Sequence, residues 1–195
     1  YRISIYRLID QALSQLTGKL KRDAKEVRED VISFFKSRFV AILQGRGISG
    51  DVIETVLRDF DDPLDAFMRA QAIGSVKTQA WFESICAASK RVENILKKVE
   101  AAPEIAENLF AQEEEKALYK SFKEVENSFI SLVAKGEYTS ALKLLAGLKD
   151  PIDQFFDKVL VMAEDITIRN NRIALLKSLV GLFDRIAQFS KISAV

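Results

Sequence analysis

Apolar residues recur at spacings of three and four along almost the whole chain, and nowhere do they alternate with polar residues for long. Such spacing places side chains on one face of an α-helix, whereas alternation is typical of a half-buried strand. The pattern therefore predicts an all-α protein, a multi-helix bundle of about eight helices. No apolar run approaches the roughly 18 residues that a membrane-spanning helix requires.

Local signals mark where several of these helices begin. Asp23 followed three residues later by Glu26 is a capping-box pattern, in which side chains bond the free N–H groups of the first turn. An aspartate followed by proline opens two other predicted helices, at 62–68 (DPLDAFM) and 150–156 (DPIDQFF). We interpret this similarity as repeated use of a good helix start, with a duplicated domain as the alternative. A last helix begins near Asp165.

Two predicted helices carry large apolar side chains in helical register. In the long helix over 78–98, Trp81 follows the apolar period, which favours a core position over a stacking platform. The helix opened by Asp23 has one broad apolar stripe, which predicts burial on that face. The members of this stripe are Val27, Val31, Phe34, Phe35, Phe39, Ile42 and Leu43.

The helical period fades between residues 100 and 114, where Pro103 interrupts it and glutamates accumulate. Because this stretch is not rich in Gly or Ser, we expect an ordered connection rather than a flexible linker. The predicted organisation is an N-terminal helical segment over 1–99, an acidic connection over 100–114 and a C-terminal bundle over 115–195, with the two halves packed together. Since the chain opens at Tyr1 inside a helical pattern, we expect it to be part of a longer polypeptide.

The composition excludes several classes of enzyme. The 195 residues include no His and one Cys, Cys86, which excludes His-based triads, disulfides and Cys-rich zinc sites. Carboxylates cluster at 59–65 and 113–115, but both clusters lie at helix starts and lack the Glu-x-x-His pairs of di-metal bundles. The GRGISGD run at 45–51 lacks the Lys-Ser/Thr of a phosphate-binding loop. We expect no catalytic site, metal or cofactor here, and a reducing, cytoplasmic compartment.

Charge is balanced overall but uneven along the chain. The formal net charge of +1 gives no general attraction to nucleic acid or membranes. Lys and Arg outnumber acidic residues by eight to four over 19–46, six to two over 69–98 and five to two over 165–195. If these stretches share a face, they form a phosphate-binding surface; otherwise they are solvated helix faces.

The most unusual run is ITIRNNRIALL at 166–176, where two arginines and two asparagines interrupt an apolar helix. Arg169 and Arg172 are three residues apart and therefore lie on one face of that helix. Arg and Asn side chains hydrogen-bond base edges and phosphates, but they also brace neighbouring helices, since buried polar groups need partners. The sequence leaves both interpretations open.

Residues 150–192 resemble a known family. Their sequence is DPIDQFFDKVLVMAEDITIRNNRIALLKSLVGLFDRIAQFSKI. They are similar to the D-P-V-D-x-F-F-D-x-V-M-V, D-x-A-L-R-x-N-R-L-x-L-L and L-F-x-x-V-A-D-x-S runs of the DALR-type anticodon-binding domain of bacterial glycyl-tRNA synthetase β subunits. Thr167 and Ile168 replace the Ala-Leu of the name-giving motif, which keeps the second position apolar. The segments 34–57 and 90–98 resemble the helical region that precedes this domain.

The resemblance implies a DALR-type helical fold at the C-terminal end and a non-catalytic fragment that recognises a tRNA anticodon. The parent would attach glycine to tRNA, using ATP and Mg²⁺ in a catalytic part on the α subunit or its fused equivalent. The implied partners are glycine tRNA and that α region, with neither membrane nor DNA. The residues then expected to contact tRNA are Arg169, Asn171, Arg172, Lys177, Lys90, Arg91, Lys97, Lys98, Arg38 and Arg46.

Other functions stay open at this point. One is a helical module that docks protein partners or assembles subunits without RNA contact. Another is the similar domain of an arginyl-tRNA synthetase, although the DPIDQFFDKV run favours the glycyl pattern.

Glycine codons begin with two guanines, so a domain that reads the glycine anticodon must bind two cytosines. The amino group of cytosine needs a hydrogen-bond acceptor, and the acceptor atoms of its ring need donors.

Overall fold

The computed structural model describes residues 3–58, 60–97, 99 and 104–193. Within these residues it contains nine α-helices, three short 3₁₀ turns and no strand, which confirms the predicted all-α class. The α-helices are α1 Ile5–Gln15, α2 Ala24–Gly45, α3 Gly50–Leu57, α4 Pro63–Val76, α5 Ala80–Leu96, α6 Glu113–Lys135, α7 Tyr138–Leu145, α8 Lys149–Lys158 and α9 Ile166–Phe183. The 3₁₀ turns are Glu107–Leu109, Ala146–Leu148 and Phe189–Lys191.

The chain divides into two compact units, Tyr1–Gly74 and Ser75–Val195. The division falls in the last turn of α4 and not at the predicted connection over 100–114. The physical reason is that α5, which precedes that connection, packs against α8, α9 and the C-terminal 3₁₀ turn. Residues 100–103 of the predicted connection lie outside the described residues.

Aromatic packing shows why α5 belongs to the second unit. The Phe82 ring lies edge-on to Phe189, with their centroids 5.1 Å apart, and Phe189 stacks on Phe183 of α9 at 5.5 Å. All three rings are at most 1% exposed, and such aromatic pairs add stability beyond that of burial alone. Trp81 is half-buried and lies edge-on to Phe82 at 5.6 Å, in agreement with a packing role.

The aspartates predicted to cap helix starts do so at three of the four predicted positions. Asp23 accepts hydrogen bonds from two backbone N–H groups at the start of α2, and Asp165 does the same for α9. Asp62 accepts from two backbone N–H groups in the first turn of α4, at 3.0 and 3.1 Å. These contacts satisfy donors that a helix leaves unpaired at its start.

The second Asp-Pro run behaves differently from the first. α8 begins at Lys149, two residues before the predicted first helical residue Pro151, so Asp150 lies inside the first turn and does not cap it. The chain enters α8 from the 3₁₀ turn Ala146–Leu148, and Leu148 already has helical φ and ψ angles. The two runs therefore occupy different positions relative to their helices, which argues against a duplicated structural unit.

In the first unit, Asp61 explains part of the aspartate cluster at 59–65. The Asp61 carboxylate accepts from the Ser4 hydroxyl at 2.7 Å and from the Tyr6 backbone N–H at 2.9 Å, so it joins the start of α1 to the loop before α4. The carboxylate thus serves the helix terminus, as expected near the positive end of a helix dipole. Asp59 lies outside the described residues.

The apolar stripe on α2 is only partly buried, contrary to the prediction. Phe39 and Leu43 are buried, whereas Phe34 is 55% and Ile42 is 53% exposed. At about 100° per residue the stripe covers about half of the helix circumference, and its neighbours cover only one edge. The helical period therefore located the apolar face correctly but could not show how much of it is covered.

No helix within the described ranges combines the length and the hydropathy needed to cross a lipid bilayer.

Candidate functional site

Helix α9 contains two polar side chains in its buried interior. Asn171 is 1% and Arg172 is 6% exposed, although both were predicted to contact RNA. Their neighbours along the helix, from Ile173 to Leu176, are also buried. Because an unpaired polar group in such surroundings is strongly unfavourable, both side chains need partners inside the protein.

Asn171 pairs with the backbone of a residue 65 positions away. Its Oδ1 accepts from the Ala106 N–H at 2.8 Å, and its Nδ2 donates to the Ala106 carbonyl at 3.0 Å. Ala106 precedes the 3₁₀ turn Glu107–Leu109, which contacts α9. The amide therefore fastens the segment before α6 to α9 and uses both ends of its side chain to do so.

Arg172 joins three parts of the second unit. Its Nε and Nη2 donate to the two carboxylate oxygens of Glu115, at 2.9 and 3.3 Å, and Nη2 also donates to Gln112 Oε1 at 3.1 Å. Its Nη1 donates to the Leu160 carbonyl at 2.9 Å. The guanidinium thus links the start of α6, the interior of α9 and the segment that follows α8.

Glu115 is fully buried and also serves as a helix cap. Its Oε2 accepts from the backbone N–H groups of Ala111 and Gln112, at 2.9 and 2.7 Å. The carboxylate therefore has an opposite charge and two N–H donors at the positive end of α6, which offsets its removal from water. We name Glu115, Arg172 and Asn171 the internal clasp.

The clasp gives Asn171 and Arg172 a structural role. Both were predicted as RNA contacts, with the bracing of helices as the alternative, and the geometry corresponds to that alternative. Arg172 has five N–H donors, and its four hydrogen bonds within the protein use four of them. The side chain therefore has little hydrogen-bonding capacity left for a ligand at the surface. Glu115, its main partner, was not among the predicted site residues.

Other predicted contact residues do reach the surface. Lys90 and Arg91 are exposed on the second half of α5, Lys97 is exposed at the C-cap that follows this helix, and Lys177 is exposed on α9. Lys97 Nζ donates to Asn94 Oδ1 at 3.3 Å, in the last turn of α5. A cation in this position also suits the negative C-terminal end of α5.

The remaining predicted contacts are distributed differently. Arg169 is half-buried, with Nη1 3.5 Å from the Ala163 carbonyl. Arg38 and Arg46 belong to the first unit, where their guanidinium groups lie over the rings of Phe34 and Phe67, at 5.2 and 4.7 Å. Lys98 lies outside the described residues.

A groove of about 360 Å³ opens beside Arg91. Arg91, Asn94 and Ile95 of α5 line one side, and the segment 159–162 after α8 lines the other. Within that segment Leu160 is 70% exposed, even though its carbonyl is held by the internal clasp. We call this the Leu160 groove; its apolar loop side chains were not among the predicted site residues.

A second depression, of about 320 Å³, is also lined by Arg91. We call it the Asp157 recess; its lining residues are Ser84, Ala87, Ala88, Arg91, Asp153, Phe156 and Asp157. The Arg91 guanidinium lies over the Phe156 ring, 4.3 Å from its centroid. Arg91 therefore borders both depressions, and its aromatic partner Phe156 lines the recess.

The two carboxylates of the Asp157 recess differ in their surroundings. Asp153 accepts from the Ser84 hydroxyl at 2.6 Å and from Lys149 Nζ at 2.9 Å. Partial burial raises the pKa of Asp153, but the hydrogen bonds from Lys149 and Ser84 outweigh that effect and leave the pKa below its ordinary value. Asp157, one helical turn further on, is exposed on the rim.

Among the residues that the structure describes, no three His, Cys, Asp or Glu side chains converge to hold a metal ion. Cys86 is buried. The surface of the second unit thus presents hydrogen-bonding groups, cations and exposed apolar side chains, which is chemistry suited to binding.

Comparison with known proteins defines the family. The model of the DALR anticodon binding domain matches residues 85–194, more than half of the chain and nearly all of the second unit. This chain belongs to the DALR anticodon binding domain family. The matched region contains the internal clasp, the Leu160 groove and all of the residues that line the Asp157 recess except Ser84.

Relatives of this DALR-domain chain share one name. Proteins called glycine–tRNA ligase beta subunit from Geotalea daltonii and Trichlorobacter lovleyi are 40% and 42% identical, over 100% and 99% of the chain. A protein of the same name from Mannheimia succiniciproducens is 43% identical over 85% of the chain. The chain spans only 28%, 28% and 24% of the lengths of these relatives. The resemblance drawn from residues 150–192 is thereby confirmed.

Proposed function

We propose that this chain forms the anticodon-recognition part of a glycine–tRNA ligase β subunit and binds tRNA without making or breaking covalent bonds. The match of residues 85–194 to the DALR anticodon binding domain carries this proposal. Relatives that bear the name of that subunit and match the whole chain support it.

The surface around Arg91 offers the two kinds of contact that RNA requires. Exposed cations neutralise phosphates and supply affinity. Lys90 lies beside Arg91 on α5, and Lys97 lies at the C-cap of the same helix. Specific reading of RNA uses unstacked loop bases, which stack on aromatic or guanidinium planes and are hydrogen-bonded at their edges. The Leu160 groove and the Asp157 recess lie beside such a guanidinium.

In this proposal the predicted contact residues divide by their exposure. Lys90, Arg91, Lys97 and Lys177 contact RNA directly. Asn171 and Arg172 instead hold the surface in shape from within the protein, because the clasp fixes the Leu160 carbonyl and the segment around Ala106. Further phosphate contacts are proposed for Arg169, Arg38, Arg46 and Lys98.

The activity of the whole protein is part of the same proposal. The parent attaches glycine to tRNA, and its ATP and Mg²⁺ chemistry takes place in a catalytic part on an α subunit or a fused α region. This chain then contributes by holding the correct tRNA, with the α part and glycine tRNA as its partners in the cytoplasm.

The test is a salt titration of RNA binding. The full 195-residue chain is titrated into fluorescently labelled glycine tRNA, and anisotropy is read at several salt concentrations. We expect the logarithm of affinity to fall linearly with the logarithm of salt concentration, by about 0.7 per single-stranded phosphate contacted. Lys90→Ala and Lys97→Ala each weaken binding and reduce this slope, because each removes one cation.

Lys143→Ala is the matched control. Lys143 is exposed on α7, a helix that lines neither the groove nor the recess. Its replacement by Ala removes the same charge as the two test substitutions. We expect its slope to equal that of the unchanged chain. A folded chain that fails to bind tRNA at low salt would contradict the proposal and favour a helical interaction module without RNA contact.

A further inference from the structure

A groove lined by apolar side chains runs between α1 and α2 in the first unit. It measures about 420 Å³, and its walls are formed by six residues of α1, from Ile5 to Leu16, and three of α2, from Val27 to Phe35. The rim is open to solvent, since Leu8 is 53%, Leu16 is 42% and Phe35 is 41% exposed. Contiguous apolar surface of this kind marks an interaction site. We call it the α1–α2 groove.

Helix α1 is held in place by polar contacts of residues that do not line this groove. Asp61 accepts from the Ser4 hydroxyl at the start of the helix, and Arg28 Nε of α2 donates to Asp10 at 2.6 Å. Of the eleven residues of α1, only Ile9 is buried. The groove is therefore formed before any partner occupies it, and its apolar walls stay in contact with water in this chain.

The length and the walls of the groove suit one α-helix. Ile5 and Leu16 are eleven residues apart, which at 1.5 Å per residue corresponds to about 16 Å, or about three helical turns. Two helices that lie side by side leave a furrow, and an amphipathic helix places apolar residues spaced by three and four into it. A small ligand would leave most of such a furrow uncovered.

The size of the groove favours an occupant that is covalently attached. Its length of about 16 Å and a helix diameter of about 10 Å define a footprint far below the roughly 800 Å² that each partner buries in a typical stable complex. A segment of the same polypeptide needs less contact area, because its tether raises the effective concentration. The chain spans 28% of the lengths of the relatives from Geotalea daltonii and Trichlorobacter lovleyi, so most of a polypeptide of that length lies outside it.

Charge at one end of the groove specifies the occupant further. The loop over 17–23 joins α1 to α2 and therefore lies at that end. Arg22 of this loop is paired with Asp30 at 2.7 Å, whereas Lys19 and Lys21 are exposed. Exposed cations attract acidic side chains and the negative C-terminal end of a helix. An occupant with an acidic C-terminal turn at this loop complements both the apolar walls and the cations.

We infer that the α1–α2 groove seats an amphipathic α-helix from the part of the parent β subunit that lies outside this chain, with its acidic end beside Lys19 and Lys21. The inference rests on the proposed function only in taking the chain as part of a longer β subunit, and it does not depend on RNA binding. It also accounts for part of the uncovered stripe on α2, because the seated helix packs on Val31 and Phe35.

Hydrogen–deuterium exchange of α1 tests this inference. Exchange rates of the α1 amides are measured in the 195-residue chain and in the whole β subunit that contains it, without an α subunit. A helix with one buried residue opens locally with little cost, whereas covering its apolar face suppresses opening. We expect the α1 amides to exchange at least about tenfold more slowly in the whole subunit, the factor that corresponds to about 1.4 kcal/mol of docking.

Leu8→Ser removes one apolar side chain from the groove. In the whole subunit it should speed α1 exchange about tenfold, because the seated helix no longer buries this leucine. In the 195-residue chain the change should be less than about threefold, since Leu8 is already half exposed and serine only lowers the helix propensity. Leu64→Ser is the matched control, because Leu64 is 46% exposed on α4 and does not line the groove; α1 exchange should stay unchanged in both proteins.

The charged end of the groove is tested in the same way. Lys19→Glu combined with Lys21→Glu should speed α1 exchange in the whole subunit and not in the 195-residue chain, and added salt should reduce the difference. If this double variant leaves the exchange unchanged in the whole subunit, the acidic end of the occupant is wrongly assigned.

Several outcomes would overturn the inference. One is equal α1 exchange in the two proteins. Another is slowing that requires the α subunit, and a third is slowing in the 195-residue chain at high concentration with a dimer in sedimentation velocity, because the occupant is then a separate chain. Leu8→Ser should leave tRNA binding by the 195-residue chain unchanged, so failure of helix docking and failure of RNA binding are distinct results.

Discussion

Removing the charge of Glu115 tests whether the internal clasp holds the second unit together. Glu115→Gln preserves the size of the side chain but leaves the Arg172 guanidinium, 6% exposed, without a carboxylate. The amide also replaces one of two acceptor oxygens with a donor, next to the backbone N–H groups of Ala111 and Gln112. The substitution therefore creates an uncompensated buried charge and disturbs a helix start at the same time.

The expected loss follows from these contacts. Breaking a buried ion pair by removing one partner costs about 3–5 kcal/mol, and we expect about 3 kcal/mol for Glu115→Gln because its remaining oxygen still accepts. Such a loss is a large part of the roughly 5–15 kcal/mol that stabilises a typical protein. With an m-value of about 2 kcal/mol/M, the urea midpoint falls by about 1.5 M.

Tryptophan fluorescence is the suitable assay. Trp81 is the single tryptophan of the chain and lies in the second unit, so its emission reports the unit that contains the clasp. Glu113→Gln is the control, because Glu113 lies on the same helix with its side chain 84% exposed and paired to Lys116. Exposed pairs contribute little, so its free energy of unfolding should stay within about 0.5 kcal/mol of that of the unchanged protein.

A double variant separates charge from packing. Replacing both partners, Glu115→Leu with Arg172→Met, removes the unpaired charge and should recover at least about 2 kcal/mol relative to Glu115→Leu alone. The recovery is incomplete because the Leu160 carbonyl loses its donor. The reasoning is refuted if Glu115→Gln shifts the midpoint no more than Glu113→Gln does.

Four further substitutions test other contacts. Asn171→Ala removes both hydrogen bonds to Ala106 and should cost about 1–3 kcal/mol in urea unfolding, with faster hydrogen exchange of the Ala106 amide. Gly47 has a φ of +76°, so Gly47→Ala should destabilise the protein by about 1 kcal/mol. Gly45 lies at the end of α2, and a Cβ added there would meet open space. Gly45→Ala should therefore stabilise the protein by up to about 1 kcal/mol. Thermal unfolding of both variants shows whether the signs differ. The pKa of Asp153 is lowered in the folded state, so its ionised form stabilises the fold. This stabilisation is fully present above the unfolded-state pKa of Asp153. It disappears as pH falls through the folded-state pKa. The difference in urea midpoint between Asp153→Asn and the unchanged chain should therefore be present at pH 7 and shrink below pH of about 4.

Local interactions were the part of the fold most readily predicted from sequence. The caps at Asp23, Asp62 and Asp165 involve backbone groups two or three residues away, so the pattern that produces them is visible in a short run. The helix start at Asp150 was placed two residues late because the preceding 3₁₀ turn leads directly into α8. The helical period likewise predicted the all-α class but not how far the α2 stripe is covered.

The candidate site was predicted only in part. Exposed Lys90, Arg91 and Lys97 were identified from the uneven charge and the family resemblance. The burial of Arg172 was not evident, because its partner Glu115 is 57 residues away. Leu160 was predicted to belong to the apolar stripe of the helix opened at Asp150, but α8 ends at Lys158 and the Leu160 side chain is exposed.

The sequence by itself determined the all-α class, the caps at Asp23, Asp62 and Asp165, the absence of His chemistry and, through the motif at 150–192, the family. These follow from neighbours within about one helical turn or from the identity of the residues themselves. Only the tertiary structure decided which polar groups are buried and which reach the surface. It brought Arg91 over Phe156, 65 residues away, and Arg172 beneath the loop at Leu160. Such pairings depend on how helices pack, because identical polar side chains bind a ligand when exposed and brace the core when surrounded.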